Sequence, residues 1–379
     1  MWEVYSLVDF NNKKIIIARY GEIHLKSGNR GYFLRELKRN LEQNTGQKVI
    51  IENSRIIINC DDESVLDKVA KTFGITSASL ATRLDSKPET ILQYLGGLRI
   101  EGTFKAEINR ADKTFPHKSP DFAKMAGEVI LQANNKAVVN VIDPQKIVYV
   151  DIREGGFCFV YDNVIKGVGG LPVGTAGRGL VMLSGGIDSP VAAWLAMKRG
   201  LSVECLHFYS PPHTNEFALE KVRKLADKLN SKMYIVNFTE IQESIFKNCN
   251  RDYMITIMRR FMVKICERFA LSNRFDCIIT GENLSQVASQ TIQSIASNNV
   301  CATVLPILRP LVMYDKNEII DLAKRIDTHD VSIEPHLDCC TVFIPKHPSI
   351  KPNIKKIEME EKRLDVEGLI ERALASIIM

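Results

Sequence analysis

Ser184-Gly185-Gly186-Ile187-Asp188-Ser189 follows the apolar run 180–183 and directly precedes a segment with helical periodicity. Two glycines at the carboxyl end of a parallel strand let backbone N–H groups come close to phosphate oxygens. The free N–H groups and dipole of the next helix's first turn add a positive end for an anion. The hydroxyls of Ser184 and Ser189 are further donors. Asp188 is out of place beside an anion unless a cation stands between them, which implies Mg²⁺ bridging carboxylate and phosphate. An ordinary strand-to-helix turn is the competing reading, since Gly-Gly pairs are common in turns. The GxxxxGK[ST] pattern of a Walker loop is absent.

A second segment, Thr280-Gly281-Glu282-Asn283, ends another strand, and 284–290 is expected to begin a helix. At the carboxyl end of a neighbouring strand it should open on the same crevice. Gly281 would let a nucleotide approach the backbone, and Gln290 can bond adenine, ribose or phosphate. Arg259 lies on a long helix just before this strand, where a guanidinium can clamp phosphate. Its alternative is a solvated member of the pair Arg259-Arg260.

The third feature is sulfur. Nine cysteines are scattered along the chain except for adjacent Cys339 and Cys340. No CxxC occurs, which argues against structural zinc and iron–sulfur sites. The pair is a candidate nucleophile, and Lys346 and His347 would favour its thiolate if they are near in space. Two alternatives stand beside it: a pair of buried structural thiols, or a zinc site with His336 and His347. Adjacent Cα atoms lie about 3.8 Å apart, short of the roughly 4.4 Å a disulfide needs. A distal or external thiol is therefore the favoured partner, with a vicinal bridge as the alternative.

Elements must position these residues. With 379 residues, 45% apolar and 25% charged, the chain has the composition of two or three globular domains. No run approaches the ~20 apolar residues of a membrane span, and the start lacks the basic-then-apolar pattern of a signal peptide. A reducing, cytoplasmic setting is expected. The net charge of +5 is unevenly spread: residues 19–48 hold seven basic and three acidic side chains. Such a field suits a polyanion, or equally a solvated helix face.

Along the chain, 13–20 and 54–60 read as strands around a helix at 29–44. A helix at 62–73, capped by Asp61 or Asp62, and a strand near 77–83 follow, giving a ferredoxin-like βαββαβ order. Next come a strand at 103–109, a helix at 120–134, strands at 138–143 and 146–154, and another within 156–166. The run 167–179 contains six glycines and one proline and reads as a link. After it the pattern becomes βαβα: strands 179–183, 202–208, 232–237 and 275–280, with helices 189–199, 215–229 and 252–271. This order implies a parallel sheet covered on both faces. The expected α/β organisation is thus an N-terminal ferredoxin-like α+β unit (1–59), a second α+β domain (60–166), a linker (167–178) and a parallel-sheet domain (179–379).

SGGxDS resembles the PP-loop of ATP pyrophosphatases, which attack the α-phosphate of ATP and release pyrophosphate. With the other motifs, the whole chain resembles the tRNA 4-thiouridine synthase family (tRNA sulfurtransferase, ThiI). The resemblance rests on Arg19-Tyr20-Gly21-Glu22-Ile23-His24-Leu25-Lys26 with Asn29-Arg30, and on Asn109-Arg110-Ala111-Asp112-Lys113-Thr114-Phe115-Pro116, which is similar to the core of a THUMP RNA-binding domain. It rests further on Gly169-Gly170-Leu171-Pro172-Val173-Gly174-Thr175 running into the Ser184 loop, on 281–291, and on Asp338-Cys339-Cys340-Thr341-Val342-Phe343. It implies ATP held by Met182, Leu183, His207, Phe208, Arg259, Gly281 and Gln290 beside the loop residues Ser184, Gly185, Gly186 and Ser189. It also implies Cys340 as the catalytic cysteine with Cys339 beside it, and Asp188 for the metal or for positioning.

On that resemblance the expected reaction activates uridine 8 of tRNA as an adenylate and replaces its oxygen with sulfur from a persulfide. The first two domains would grip the tRNA acceptor end. Phosphate contacts are expected from Lys26, Arg30, Arg35, Lys38 and Arg39, then Arg110, Lys113 and Lys118, with Tyr20 and Phe115 as base-stacking candidates. Each of these residues taken alone reads as a surface charge or a core aromatic. Nothing after residue 350 is long enough for the rhodanese domain some members carry. Sulfur should therefore arrive through a core cysteine or a separate carrier, with a cysteine desulfurase as donor, and a role in thiazole synthesis for thiamine is secondary. The oligomeric state is open, a homodimer included, and no membrane is expected. Rival readings are another PP-loop enzyme, amide-forming or lysine-adding, and a non-catalytic RNA-binding protein with a vestigial nucleotide fold.

Overall fold

Strand-forming runs of isoleucine start the chain's structure. The computed structural model describes residues 13–287, 289–335 and 349–379. They form two compact units that meet between Pro172 and Val173.

In the first unit, β1 (Lys14–Tyr20), α1 (Arg30–Thr45), β2 (Val49–Glu52), β3 (Arg55–Ile58), α2 (Glu63–Ala70) and β4 (Ile75–Asp85) follow the βαββαβ order. Their strands lie antiparallel in the order β2-β3-β1-β4. Period-two alternation decides the packing: Ile16 and Ala18 face α1 and α2, while Ile15 and Ile17 face the other way, toward Ile57, Phe157 and Phe159. Asp62 is the residue that caps α2, accepting from the Ser64 N–H.

The sheet continues through α3 (Pro88–Gly96), β5 (Gly102–Arg110), α4 (Ser119–Ala133), β6 (Ala137–Val139), β7 (Lys146–Arg153), β8 (Phe157–Tyr161) and β9 (Ile165–Lys166). β8 pairs antiparallel with β4, and the order runs on as β4-β8-β7-β5-β6. The expected boundary at 59/60 thus falls inside one sheet, because β4 needs β1 for its ladder. The expected strand 138–143 is three residues long and ends at Val139. Of the expected link, Gly167 and Gly169 donate to the Thr76 and Ile75 carbonyls, whereas Gly174 and Ala176 donate to the Gly200 carbonyl.

One ionic cluster ties β3 to β7 and β5 across this sheet. Asp151 is 0% exposed, and it accepts from Arg55 at 2.9 Å, Arg153 at 2.7 Å and Asn109 at 3.0 Å. Burial pushes its carboxyl up more strongly than the Arg55 charge pulls it down.

The second unit holds β10 (Arg178–Met182), α5 (Asp188–Lys198), β11 (Ser202–Tyr209), α6 (Glu216–Lys228), β12 (Met233–Asn237), α7 (Thr239–Asn248), α8 (Met254–Ser272), β13 (Cys277–Ile279), α9 (Ile292–Asn299), β14 (Ile307–Leu308), α10 (Lys316–Arg325), α11 (His329–Ser332), α12 (Ile354–Glu361) and α13 (Val366–Ala375). The five strands are parallel in the order β12-β11-β10-β13-β14. Leu180, Leu206 and Ile278 pack against α7, α8 and α13, while Val181, Cys205 and Ile279 pack against α5, α6 and α10. Both faces are covered, as a parallel sheet requires. The chain runs outward from β10 in both directions, so the gap between β10 and β13 is a topological switch point, where ligands bind in such sheets.

Asp151→Ala leaves Arg55 and Arg153 buried without their carboxylate, a loss of about 3 kcal/mol. Urea unfolding of the full chain should show the first unit's transition at lower denaturant, with the second unit's transition unmoved.

Candidate active site

The loop after β10 is closed by its own serines. Ser189 Oγ accepts from the Ser184 N–H at 2.9 Å and lies 3.1 Å from Ser184 Oγ. The helices α6, α9 and α10 each carry a side-chain cap, from Asn215, Thr291 and Asp315. α5, like α7 and α8, has none; Ile187 stands at its cap position, and of these three helices α5 is the one that opens on the switch point. Its first-turn N–H groups are left for an anion at the switch point.

A cavity of about 260 Å³ opens there. It is lined by Met182, Leu183, Ser184, Asp188 and Ser189 from the β10 side, His207 and Phe208 from the end of β11, Arg259 from α8, and Gly281 and Gln290 after β13. All the expected nucleotide residues but Gly185 and Gly186 therefore share one cavity, and those two lie in the loop beside it. His207 is buried, with Nδ1 2.9 Å from the Leu183 carbonyl. A carbonyl can only accept, so Nδ1 carries the proton.

Glu282 organises the far wall. Its carboxylate is 6% exposed and accepts from Arg259 at 2.7 Å, Arg309 at 2.6 Å, Asn298 at 3.0 Å and Thr280 at 3.2 Å. Burial works to raise its pKa, but the two guanidinium charges and the hydrogen bonds prevail and hold it below the usual carboxylate range. Arg259 is therefore fixed in the cavity wall, not solvated. Its neighbour Arg260 points elsewhere and forms a two-point bond with Glu361 at 2.7 and 2.9 Å.

Asp188 has its own cation. Lys316 Nζ donates to Oδ1 at 2.7 Å and Gln286 Nε2 to Oδ2 at 2.9 Å. The positive charge that Asp188 calls for beside a phosphate is thus supplied in part by the chain itself. Lys316 lies 128 residues away in sequence, and no local pattern marks it. Among the described residues no group of three or more His, Cys, Asp or Glu is arranged to hold a metal ion.

Several expectations change. Residues 284–287 form turns, not the start of a helix: Ser285 has φ 64°, and the helix begins only after Thr291 caps it. Gly281 is required by protein packing, since a Cβ there would lie 2.7 Å from the Ser189 nitrogen. Tyr20 and Phe115 are core aromatics, 4% and 6% exposed, stacked on His24 and edge-on to Phe122. Arg110 donates to the Phe115 and His117 carbonyls and so closes its own loop. Lys26 lies over the Phe33 ring, and Arg30 donates to Tyr20 Oη at 2.5 Å. Arg35, Arg39, Lys113 and Lys118 are exposed, and Lys38 is half-buried near Glu42.

Cys339, Cys340, His336, Lys346 and His347 lie outside the described residues. The seven described cysteines are free thiols, six of them buried. Burial pushes Cys158 and Cys205 up to about 12 and Cys249, Cys277 and Cys301 up to about 11. Such thiols hold almost no thiolate near neutral pH and make poor nucleophiles.

Comparison with known proteins follows the same three-part division. The family model described as "Thiamine biosynthesis protein (ThiI)" matches residues 174–366, "ThiI ferredoxin-like domain" matches 15–79, and "THUMP domain" matches 93–162. A "Probable tRNA sulfurtransferase" of Thermoanaerobacter sp. (strain X514) is 41% identical, over 96% of this chain and 99% of that protein. The chain belongs to the ThiI family of tRNA sulfurtransferases. A second protein of the same description, from Geobacillus sp. (strain WCH70), is 44% identical, over 95% of this chain and 94% of that one. The solved structure described as "Crystal structure of a 4-thiouridine synthetase - RNA complex with bound ATP" superposes with a TM-score of 0.87 at 34% identity, covering 97% and 98% of the two chains. The cavity at the switch point of this ThiI-family chain is therefore built on the family's PP-loop fold. No helix among the described residues is long and apolar enough to cross a membrane.

Glu282→Gln leaves Arg259 and Arg309 without their carboxylate and should cost about 3 kcal/mol. The folded-state pKa lies below its ordinary value of 4.5. The wild-type contribution is thus complete above that value and is lost as pH falls through the folded pKa. Thermal melts from about pH 6 downward should show a flatter acid limb for Glu282→Gln than for wild type.

Proposed function

We propose that this chain uses ATP to adenylate uridine 8 of tRNA and then replaces the O4 oxygen with sulfur, giving 4-thiouridine. The observation that carries the reading is the uncapped N-terminus of α5 and its serine-closed glycine loop, opening on a cavity at the switch point. Asp188, Glu282 and Arg259 line it, with Lys316 bound to Asp188 and Arg309 to Glu282 behind them, an arrangement suited to a nucleotide's phosphates and not to a neutral metabolite.

The uridine O4 attacks the α-phosphorus, the bond to the bridging oxygen breaks, and pyrophosphate leaves. Loop N–H groups and the Lys316 ammonium stabilise the charge on the phosphates, preorganised where it develops. Asp188 would hold a Mg²⁺ ion together with the phosphates, and that ion supplies further charge neutralisation. The adenylate turns a poor leaving group into AMP. A persulfide on Cys340 attacks C4 through its outer sulfur, the C4–O4 bond breaks and AMP departs. A second thiol then cleaves the S–S bond, leaving sulfur on the base and a disulfide on the protein. Cys339 is the vicinal alternative for that thiol. A cysteine desulfurase is the sulfur source, and the free thiols among the described residues suit a cytoplasmic setting.

The first unit grips the tRNA acceptor end through phosphate contacts. Arg35 and Arg39 on α1, with Lys113 and Lys118, are the side chains best exposed for this, and half-buried Lys38 adds to them; Lys26, Arg30 and Arg110 act by shaping the surface. A second role, sulfur transfer in thiamine thiazole synthesis, is favoured by the description of the matching family model.

Mass spectrometry of tRNA nucleosides, after incubation with ATP, Mg²⁺, cysteine and a cysteine desulfurase, tests the reaction. Wild type should form 4-thiouridine; Asp188→Ala and Cys340→Ala should lose at least about a hundredfold of the rate, in the range for groups acting on the reacting atoms. Formation of 4-thiouridine by Cys340→Ala at the wild-type rate would remove Cys340 from the mechanism. Alanine at both Arg35 and Lys38 should lower the slope of log affinity against log salt by about 0.9 for each phosphate left without its cation. An unchanged slope would exclude α1 from the RNA surface.

A further inference from the structure

Lys221 stands where a lysine is seldom found. It shares the inward stripe of α6 with Ala218, Val222, Leu225 and Ala226, and it is 6% exposed. The other basic residues of that helix, Arg223, Lys224 and Lys228, are exposed. Lysine is almost never buried unless something holds its charge, and an apolar residue would fill the stripe without that cost.

Two contacts fix the ammonium. Nζ donates to the Glu334 carbonyl at 2.8 Å, just past α11, while the Glu334 carboxylate faces Lys224 at 4.0 Å. The end of the side chain also runs along the glycine loop. A Cβ placed on Gly185 would stand 3.4 Å from Cδ, 3.6 Å from Cε and 3.7 Å from Nζ. Ser332 of α11 meets the same stretch, with Oγ 3.5 Å from the Gly186 carbonyl. A positive charge is thus held against the loop's two glycines, which lie beside the cavity lining. Lys316, by contrast, serves Asp188 at the first turn of α5.

We propose that Lys221 gives the phosphate loop a further cation, whose field falls on the phosphates beyond the α-position. This rests on the ATP reading given above and adds to it a residue outside the loop motif. When the bond between the α-phosphorus and the bridging oxygen breaks, its electron pair goes to the departing pyrophosphate, and negative charge grows there. A fixed ammonium acts on that charge through the loop without touching it, because a buried charge is only weakly screened. Lys221 is therefore a positioning residue, and the Glu334 carbonyl is what holds its Nζ in place.

The test grades the ligand by charge. Calorimetric titration of the full chain uses AMP, ADP and ATP, each with Mg²⁺. The proteins are wild type, Lys221→Met, Lys221→Gln and Lys221→Arg. Methionine removes the charge at similar volume, glutamine keeps a donor for the Glu334 carbonyl without the charge, and arginine keeps the charge. Both neutral variants should bind ATP about tenfold less tightly than wild type, the effect of one nearby charge, and AMP as wild type does. ADP should fall between them, and arginine should restore most of the ATP affinity. An equal loss for AMP and ATP would mark a merely structural role and overturn the proposal. So would unchanged ATP affinity in a neutral variant, or a loss in methionine that glutamine repairs, which would assign the effect to the hydrogen bond. Equal binding of AMP and ATP by wild type, which needs no variant to fold, would also overturn it. Failure of the ATP reading itself looks different: wild type would bind none of the three.

Discussion

Charge balance at the sheet's switch point is the constraint on which the rest of this structure depends. On the proposed reading, a nucleotide would bring several negative charges to a site that already holds Asp188 and Glu282. Backbone N–H groups alone do not offset that sum in a partly dry cavity. The chain answers with Lys316 on Asp188 and with Arg259 and Arg309 on Glu282. Each carboxylate fixes its cation in place, and the three cations exceed the two carboxylates by one. The α5 dipole and the loop N–H groups add to that surplus, so the empty site is tolerable and the filled site is favourable.

The same arrangement explains why the elements around the cavity come from distant parts of the chain. β10 and β13 adjoin only because the sheet winds outward from β10 in both directions. That winding brings the Gly281 segment against the first turn of α5, so closely that a side chain at 281 would strike backbone. α8 lies over one face and delivers Arg259 and the apolar walls, and α10 lies over the other and delivers Lys316. Packing of both faces and assembly of the site are therefore one event. A change in Glu282 should be felt in stability and in nucleotide binding together.

Much of this was legible in the sequence, for physical reasons. The βα alternation, the glycine loop and the capped helices are local patterns, and local patterns survive in a linear reading. The residues that motif and resemblance lead one to expect around a nucleotide, from Met182 to Gln290, converge on one cavity except Gly185 and Gly186, which lie in the loop beside it. What was not legible depended on distance or on competition between roles. Lys316 and Asn298 sit in unremarkable helices, and only the fold gives them partners. Tyr20 and Phe115 carry side chains that could face RNA or the interior, and burial decided for the interior; Arg110 is half-buried and spends its guanidinium on carbonyls of its own loop. The turn at 284–287 replaced an expected helix because Ser285 adopts a left-handed conformation and Thr291 supplies the cap further on. The sheet shared by the first two modules was likewise hidden, since the β4–β8 pairing joins strands about seventy-five residues apart in sequence.

In the proposed mechanism the oxygen leaving the nucleobase departs on the α-phosphorus of ATP. Transfer RNA carrying ¹⁸O at O4 of uridine 8 tests it in one turnover with ATP, Mg²⁺ and a persulfide donor. The account predicts that one ¹⁸O atom appears in AMP for each 4-thiouridine formed, with unlabelled pyrophosphate. Label released to water, or formation of ADP and orthophosphate in place of AMP, would contradict it.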